Sequence, residues 1–131
     1  MIDQFVANHG FKKIGSYSVD VSNVVQRSAN VQITQRKPLV YALFSGTECK
    51  YVGKTVQGYS RPLNYHKNEV MRDVKSGIER ELKAGNSVTV YAKETDLHVE
   101  HEGFQINVIE GIEQALIKEY KPAWNNFVIN R

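Results

Sequence analysis

Hydrophobic positions along this chain change period several times, and each change marks an element. Residues 2–9 carry a short helical pattern that stops at Gly10. Residues 14–37 alternate weakly, with Val19, Val21, Val31 and Ile33 set among polar neighbours, which predicts one or two strands or edge elements. From Pro38 the pattern sharpens. Val40 to Phe44 is a β-prone run, Ser45-Gly46-Thr47-Glu48 is turn chemistry, and Cys49 to Gly53 is a second short strand, so the segment predicts a β-hairpin. Gly58 and Ser60 mark a loop, and Pro62 suits the first turn of a helix. Leu63, Val70, Met71, Val74, Ile78 and Leu82 then recur at three- to four-residue steps, predicting one long helix closed by Gly85. Val88, Val90 and Ala92 alternate as a third strand, and Ile109, Ile112, Leu116 and Tyr120 form a last amphipathic helix that ends before Pro122. The expected fold is α/β (α+β): a small antiparallel three-stranded central sheet, a ββαβα core, flanked by helices. Residues 38–126 form that core, and residues 1–37 an N-terminal extension of the same single domain, 1–131.

Composition narrows this picture without redrawing it. A chain of 131 residues, 41% hydrophobic and 24% charged, is long and apolar enough to bury one core, which excludes a disordered or collagen-like chain. The longest apolar runs, such as Leu39 to Phe44, are far too short to span a bilayer, and Met1-Ile2-Asp3-Gln4 lacks the basic start and apolar stretch of a secretory signal, so no membrane partner is expected. Cys49 is the single cysteine, which excludes an intrachain disulfide and a thiolate zinc cluster and points to a reducing, cytoplasmic compartment. A net charge of +3 permits a polyanionic partner without requiring one. Its cations are dispersed: Lys12, Lys13, Arg36, Lys37, Lys67, Arg72 and Lys75 are candidates for contacts to backbone phosphates, which give affinity but read no sequence.

Several polar and aromatic residues recur near predicted element ends. Tyr41 and Tyr51 lie on the two hairpin strands, and the strand register decides whether both face one side. Gly53 ends the second strand, where a side chain would block a ligand, and Lys54 follows it. Arg61 precedes the long helix and Tyr65 lies four residues on, one helical turn away. Glu113 sits beside the Ile109/Ile112 stripe of the last helix. Each residue alone has a plain reading: tyrosines as β-formers, Arg61 and Glu113 as solvated charges, Trp124 as a core anchor. His98-Val99-Glu100-His101 with Glu102 offers several donors, but its histidines are three apart where zinc helices use four, and it reads as a solvated loop. Cys49, with no histidine partner in view, reads as a small core residue.

Taken together, in this order and spacing, these residues resemble the GIY-YIG nuclease superfamily, in particular its phage-type and restriction-type members. Leu39-Val40-Tyr41 stands for the first motif and Tyr51-Val52-Gly53 for the second. Arg61 falls on the family's arginine, ten residues after the second motif's tyrosine. Tyr65, with His66 adjacent, falls on its histidine-or-tyrosine, Glu113 on its metal-binding glutamate and Asn125 on its late asparagine. Leu39 and Val40 replace the usual glycine and isoleucine, and Pro62 after Arg61 is unusual. The resemblance implies a nuclease site: Tyr41 as general base, Tyr51 orienting water or phosphate, and Arg61 gripping the scissile phosphate. Lys54 would lower a tyrosine's pKa or bind phosphate, with Tyr65 or His66 as the partner one turn on. It also implies a divalent metal on Glu113. Mg²⁺ suits a single carboxylate because it keeps several waters, and Mn²⁺ is able to substitute. Asn125 would hold the glutamate helix and nearby backbone in place.

The expected function is a metal-dependent DNA endonuclease acting on double-stranded DNA, phage-type or restriction-type. Two alternatives stand beside it: a structure-specific repair or recombination nuclease, and a non-catalytic nucleic-acid-binding module on the same fold. Cutting both strands calls for a second site, so a homodimer or homotetramer is expected.

Overall fold

The computed structural model describes residues 2–67 and 72–125. In chain order its elements are α1 (Ile2–His9), β1 (Lys12–Val19), β2 (Val25–Ala29), β3 (Leu39–Ser45), β4 (Glu48–Thr55), α2 (Ser60–Leu63), α3 (Arg72–Lys83), β5 (Val88–Glu94), β6 (His98–His101), β7 (Phe104–Asn107), α4 (Val108–Tyr120) and a 3-10 turn at Ala123–Asn125. Five strands form one sheet in the order β2-β1-β5-β3-β4, and every neighbouring pair is antiparallel.

The sheet is covered on both faces. β3 lies inside it and is buried along its whole length, which is why LVYALFS reads as an unbroken apolar run instead of an alternation. Its odd positions Leu39, Tyr41 and Leu43 pack with Val74, Ile78 and Leu82 of α3, Leu63 of α2 and Trp124. Its even positions Val40, Ala42 and Phe44 pack with Phe5 of α1 and Ile109, Leu116 and Ile117 of α4.

The hairpin, the third strand, the first helix and the last helix stand where the periodicity places them. Gly85 accepts a left-handed backbone (φ 89°) after α3, with its N–H on the Leu82 carbonyl and that of Asn86 on Glu81.

Three expectations need correction. First, the sheet has five strands, not three. The segment read as an N-terminal extension supplies two of them, and β1 runs between β2 and β5. The alternation was weak because β1 buries mainly Ile14 and Tyr17, with a register shift between Lys13 and Gly15, whereas Val19 and Val21 point outward. Second, the long helix over 63–82 is two separate helices. α2 ends at Asn64, where the backbone leaves helical angles (φ −124°, ψ 18°), and Tyr17 seals the break. Its hydroxyl donates to the Pro62 carbonyl at 2.6 Å and accepts from the Tyr65 N–H at 3.1 Å, so a side chain takes both groups at the point where the helix stops. Val70 and Met71 lie outside the described residues, as does Asn126 at the end of the expected core. Third, His98–His101 is not a loop. It pairs with Phe104–Asn107 across Glu102-Gly103, both in left-handed backbone (φ 52° and 82°), the geometry of a two-residue hairpin turn. None of the described helices is long and apolar enough to cross a membrane.

Candidate active site at the edge strand

The hairpin register decides whether the two tyrosines can cooperate. At its closed end Ser45 pairs with Glu48 and Phe44 with Cys49. Continued evenly, that register would set Tyr51 opposite Ala42, on the α4 side of the sheet. A bulge between Leu43 and Phe44 leaves Lys50 as the extra residue and sets Tyr51 opposite Leu43. Tyr51 therefore joins Tyr41 on the α3 face, while Cys49 stays with Phe44 on the other. The Tyr41 and Tyr51 rings lie 6.2 Å apart between centroids.

Gly53 is the cross-strand partner of Tyr41. A Cβ built on Gly53 would stand 2.5 Å from Tyr41 Cζ and 2.6 Å from its hydroxyl oxygen. The glycine is thus inside β4, not at its end, and the space that it leaves is filled by the tyrosine ring itself. Lying across Gly53 carries the Tyr41 hydroxyl to β4, the edge strand, where it pairs with the Tyr65 hydroxyl at 2.7 Å. Tyr65 reaches this position from the turn after α2, where Tyr17 fixes its N–H.

Glu113 arrives from α4. Ile109, Glu113, Leu116 and Ile117 share the buried face of that helix, so the carboxylate lies within the apolar stripe, not beside it, and Glu113 is only 8% exposed. Its Oε1 accepts from Lys54 Nζ at 3.2 Å and from Gln114 Nε2 at 3.2 Å. Asn125 locks the same edge. Its Oδ1 accepts from the Val52 N–H at 2.8 Å and its Nδ2 donates to the Val52 carbonyl at 2.9 Å, which satisfies both outward backbone groups of the residue between Tyr51 and Gly53.

The tyrosines are electrostatically coupled. Burial pushes the Tyr41 hydroxyl well above the usual phenol range; the Tyr65 hydroxyl and the Arg61 guanidinium pull it back, and Glu113 pushes it up. Tyr51 is raised by burial, then by Tyr41 and Glu113, with Arg61 opposing. Tyr65 is raised chiefly by burial as well, again with Arg61 opposing. Arg61 is therefore the cation that favours a phenolate in this cluster, and it favours one at all three tyrosines.

Tyr41, Tyr51, Tyr65, Arg61, Lys54 and Glu113 thus meet at one edge, with Gly53 and Asn125 shaping it. His66 does not join them. It packs against the Tyr17 ring at 5.6 Å between centroids, so Tyr65 alone takes the position beside Tyr41. The cations expected to bind DNA are split. Lys37 pairs with Glu94 at 3.1 Å, Lys67 and Lys75 lie near His66, and the side chain of Arg72 is outside the described residues. Cys49 is buried, and its thiol is pushed up to about 12 chiefly by burial, as suits a core residue. The His98–His101 strand is exposed and pairs His101 with Glu102 at 3.8 Å. Among the described residues no three His, Cys, Asp or Glu side chains cluster as a metal site. A lone carboxylate such as Glu113, with Lys54 and Gln114 on its Oε1, fits Mg²⁺, which retains water and phosphate oxygens, and does not fit zinc, which takes several protein ligands. Tyr17, the residue that sets Tyr65, was not legible: its neighbours Ser16 and Ser18 are polar and its partner lies 48 residues away.

No protein-family model matches the chain, and no curated protein matches it in sequence. Among solved structures it is similar to a glutamate-to-alanine mutant of bacteriophage T4 EndoII, with a TM-score of 0.73 and 23% identity over 94% of this chain and 97% of that one. It also matches the restriction endonuclease HPY188I in complex with product DNA, with a TM-score of 0.49 and 16% identity over 91% of this chain and 80% of that one. The chain has the fold of bacteriophage T4 EndoII over nearly its whole length, in line with the GIY-YIG resemblance.

Proposed function

We propose that this chain is a divalent-metal-dependent DNA endonuclease of the GIY-YIG type, acting in the manner of phage or restriction enzymes on double-stranded DNA. One observation carries this reading: Tyr41, Tyr51 and Tyr65 converge on the edge of β4, within the electrostatic reach of Arg61 and Glu113. The fold shared with T4 EndoII supports it.

Glu113 would hold Mg²⁺, or Mn²⁺ in its place, which supplies positive charge at the phosphorane and assists the leaving oxygen. Arg61 presents guanidinium donors to the scissile phosphate and stabilises the charge that develops there. Tyr41 takes the proton of the attacking water. Burial opposes its ionisation and raises its pKa overall; Arg61 and the 2.7 Å bond to Tyr65 pull it back in part, so each helps to make Tyr41 a base. Lys54 holds the Glu113 carboxylate in place, and Asn125 fixes the strand between Tyr51 and Gly53.

Supercoiled plasmid with Mg²⁺, beside Glu113→Ala, tests the proposal. Cleavage by the wild type alone is the expected outcome. Linear product indicates restriction-like action, nicked product a repair-type nuclease. Absence of cleavage with DNA binding intact in both proteins would replace the enzyme by a binding module. Cutting both strands needs two sites, so the active species is a dimer or tetramer, and sedimentation showing monomer alone with DNA present would exclude that arrangement.

A further inference from the structure

A second polar cluster gathers beside Tyr17, the residue that sets Tyr65 of the candidate site. Arg27 is the cross-strand partner of Tyr17 in the β1/β2 ladder, and His66 packs edge-on against the Tyr17 ring. Arg27 Nη1, Asn64 Oδ1 and His66 Nδ1 are all buried atoms with no hydrogen-bond partner among the described residues. Such atoms are uncommon because each forfeits its hydration without return, and here two of the three belong to residues beside Tyr17, with Asn64 in the turn that carries His66. The surroundings are positive: Arg27, Lys67 and Lys75 all act on the His66 imidazole and, after burial, hold it below its ordinary range. Guanidinium and imidazole donors ringed by lysines suit an oxyanion with several acceptor oxygens. An amide beside them accepts or donates according to its orientation.

Tyr17 also joins this cluster to the candidate site, since its hydroxyl bonds the Pro62 carbonyl and the Tyr65 N–H immediately after Arg61. We propose that Arg27, Asn64 and His66, flanked by Lys67 and Lys75, form a second phosphate-binding subsite that grips a DNA backbone phosphate next to the one held by Arg61. This deepens the nuclease reading and rests on it. The subsite would fix the strand in register so that one phosphate alone meets Tyr41 and Glu113. It reads no base, in keeping with contacts that position without specifying.

The test uses the full chain in EDTA with a fluorescent mixed-sequence DNA duplex, titrated over a range of NaCl concentrations. Arg27→Gln is expected to weaken binding roughly tenfold, as removal of a charged hydrogen bond does. It should also flatten the slope of log affinity against log salt by about 0.9, the signature of one fewer phosphate neutralised by the protein. His66→Asn should weaken binding in the same direction. Thermal stability of Arg27→Gln should stay level or rise, because a buried unpaired donor is removed. Lys118→Gln, which removes one positive charge from α4, is the control and should leave affinity and slope nearly unchanged. Unaltered binding by Arg27→Gln, or an equal effect in Lys118→Gln, overturns the subsite. So does a weakening accompanied by a clear loss of thermal stability that Arg27→Lys restores without restoring the salt slope. If the wild type cuts plasmid but Arg27→Gln binds normally, the subsite fails alone. If the wild type neither binds duplex nor cuts it, the nuclease reading fails with it.

Discussion

Gly53→Ala isolates the packing on which the candidate site depends. The added methyl would stand 2.5 Å from Tyr41 Cζ, 2.6 Å from its hydroxyl oxygen and 2.9 Å from Cε1. Tyr41 is 2% exposed, so its ring has no free space to enter. Overpacking of this kind costs about 1–3 kcal/mol. Loss of the 2.7 Å bond between the Tyr41 and Tyr65 hydroxyls adds about 0.5–1.5 kcal/mol. Replacing a strand glycine by alanine returns about 0.5–1 kcal/mol of backbone entropy. The net expectation is a loss of about 0.5–4 kcal/mol in urea denaturation, since the packing and hydrogen-bond losses exceed the entropic gain. The hydroxyl would move by about an ångström, which is enough to lower single-turnover plasmid cleavage by about 10²-fold. The double variant with Tyr41→Ala separates the causes. With the ring gone the methyl's three nearest neighbours are gone, so Gly53→Ala should cost little or stabilise slightly in that background. An equal cost in both backgrounds would refute the reasoning, because the penalty would then belong to the β4 backbone and not to the tyrosine.

Asn125→Ala leaves the buried N–H and carbonyl of Val52 without partners and should cost about 2–4 kcal/mol in urea denaturation, and Asn125→Asp should cost at least as much because a buried carboxylate oxygen then faces the Val52 carbonyl with no proton between them. Tyr17→Phe removes the shared partner of the Pro62 carbonyl and the Tyr65 N–H; a loss of about 2–4 kcal/mol together with a fall in cleavage is expected, and a loss of stability with full cleavage would show that Tyr65 is set by other contacts. Alkaline titration followed by tyrosinate absorbance and far-ultraviolet circular dichroism gives a third test. Burial holds Tyr17, Tyr41, Tyr51 and Tyr65 above the ordinary phenol value of 10.0 and pushes Tyr59 up to about 12, so the folded state keeps protons that the unfolded chain releases. The stability that these groups contribute is complete below pH 10 and is lost progressively as pH rises above it, first through Tyr59 at about 12 and then through the more strongly raised tyrosines. Most tyrosinate signal should therefore appear together with unfolding, and a gradual titration of all seven tyrosines near pH 10 with secondary structure intact would contradict their burial.

How much of this was legible in the sequence depends on which contact fixes each residue. The hairpin and the last helix were legible because their signals are local: Gly46 in the turn, and Ile109, Ile112, Leu116 and Tyr120 at helical spacing. The strands of residues 14–37 were legible as such, but their place in the central sheet was not, because β1 is held by distant partners, β2 on one side and β5 on the other, and its polar residues dilute the alternation. The break after Leu63 was hidden for a related reason. Nothing in Arg61-Pro62-Leu63-Asn64 forbids a continuing helix, and the hydroxyl that ends it comes from Tyr17, more than 40 residues upstream.

The candidate site shows the same division at finer grain. Residue types and order were readable, but the face of Tyr51 was not. Counting evenly from the Ser45–Glu48 closure puts Tyr51 and Tyr41 on opposite sides of the sheet, and only the extra residue at Lys50 reverses that parity. The bulge explains why Gly53 must be small. Without the shift Tyr41 would face Val52 and have no glycine to lie across; with it, Tyr41 faces Gly53 and crosses β4 to meet Tyr65. One unpaired residue thus sets both the convergence of the tyrosines and the space through which one of them reaches the edge. That edge is also where Glu113 and Asn125 arrive from the far end of the chain. The bulge at Lys50 is therefore part of the candidate site's geometry even though Lys50 itself contributes its side chain to an ion pair with Glu48 at 3.3 Å and not to the tyrosine cluster.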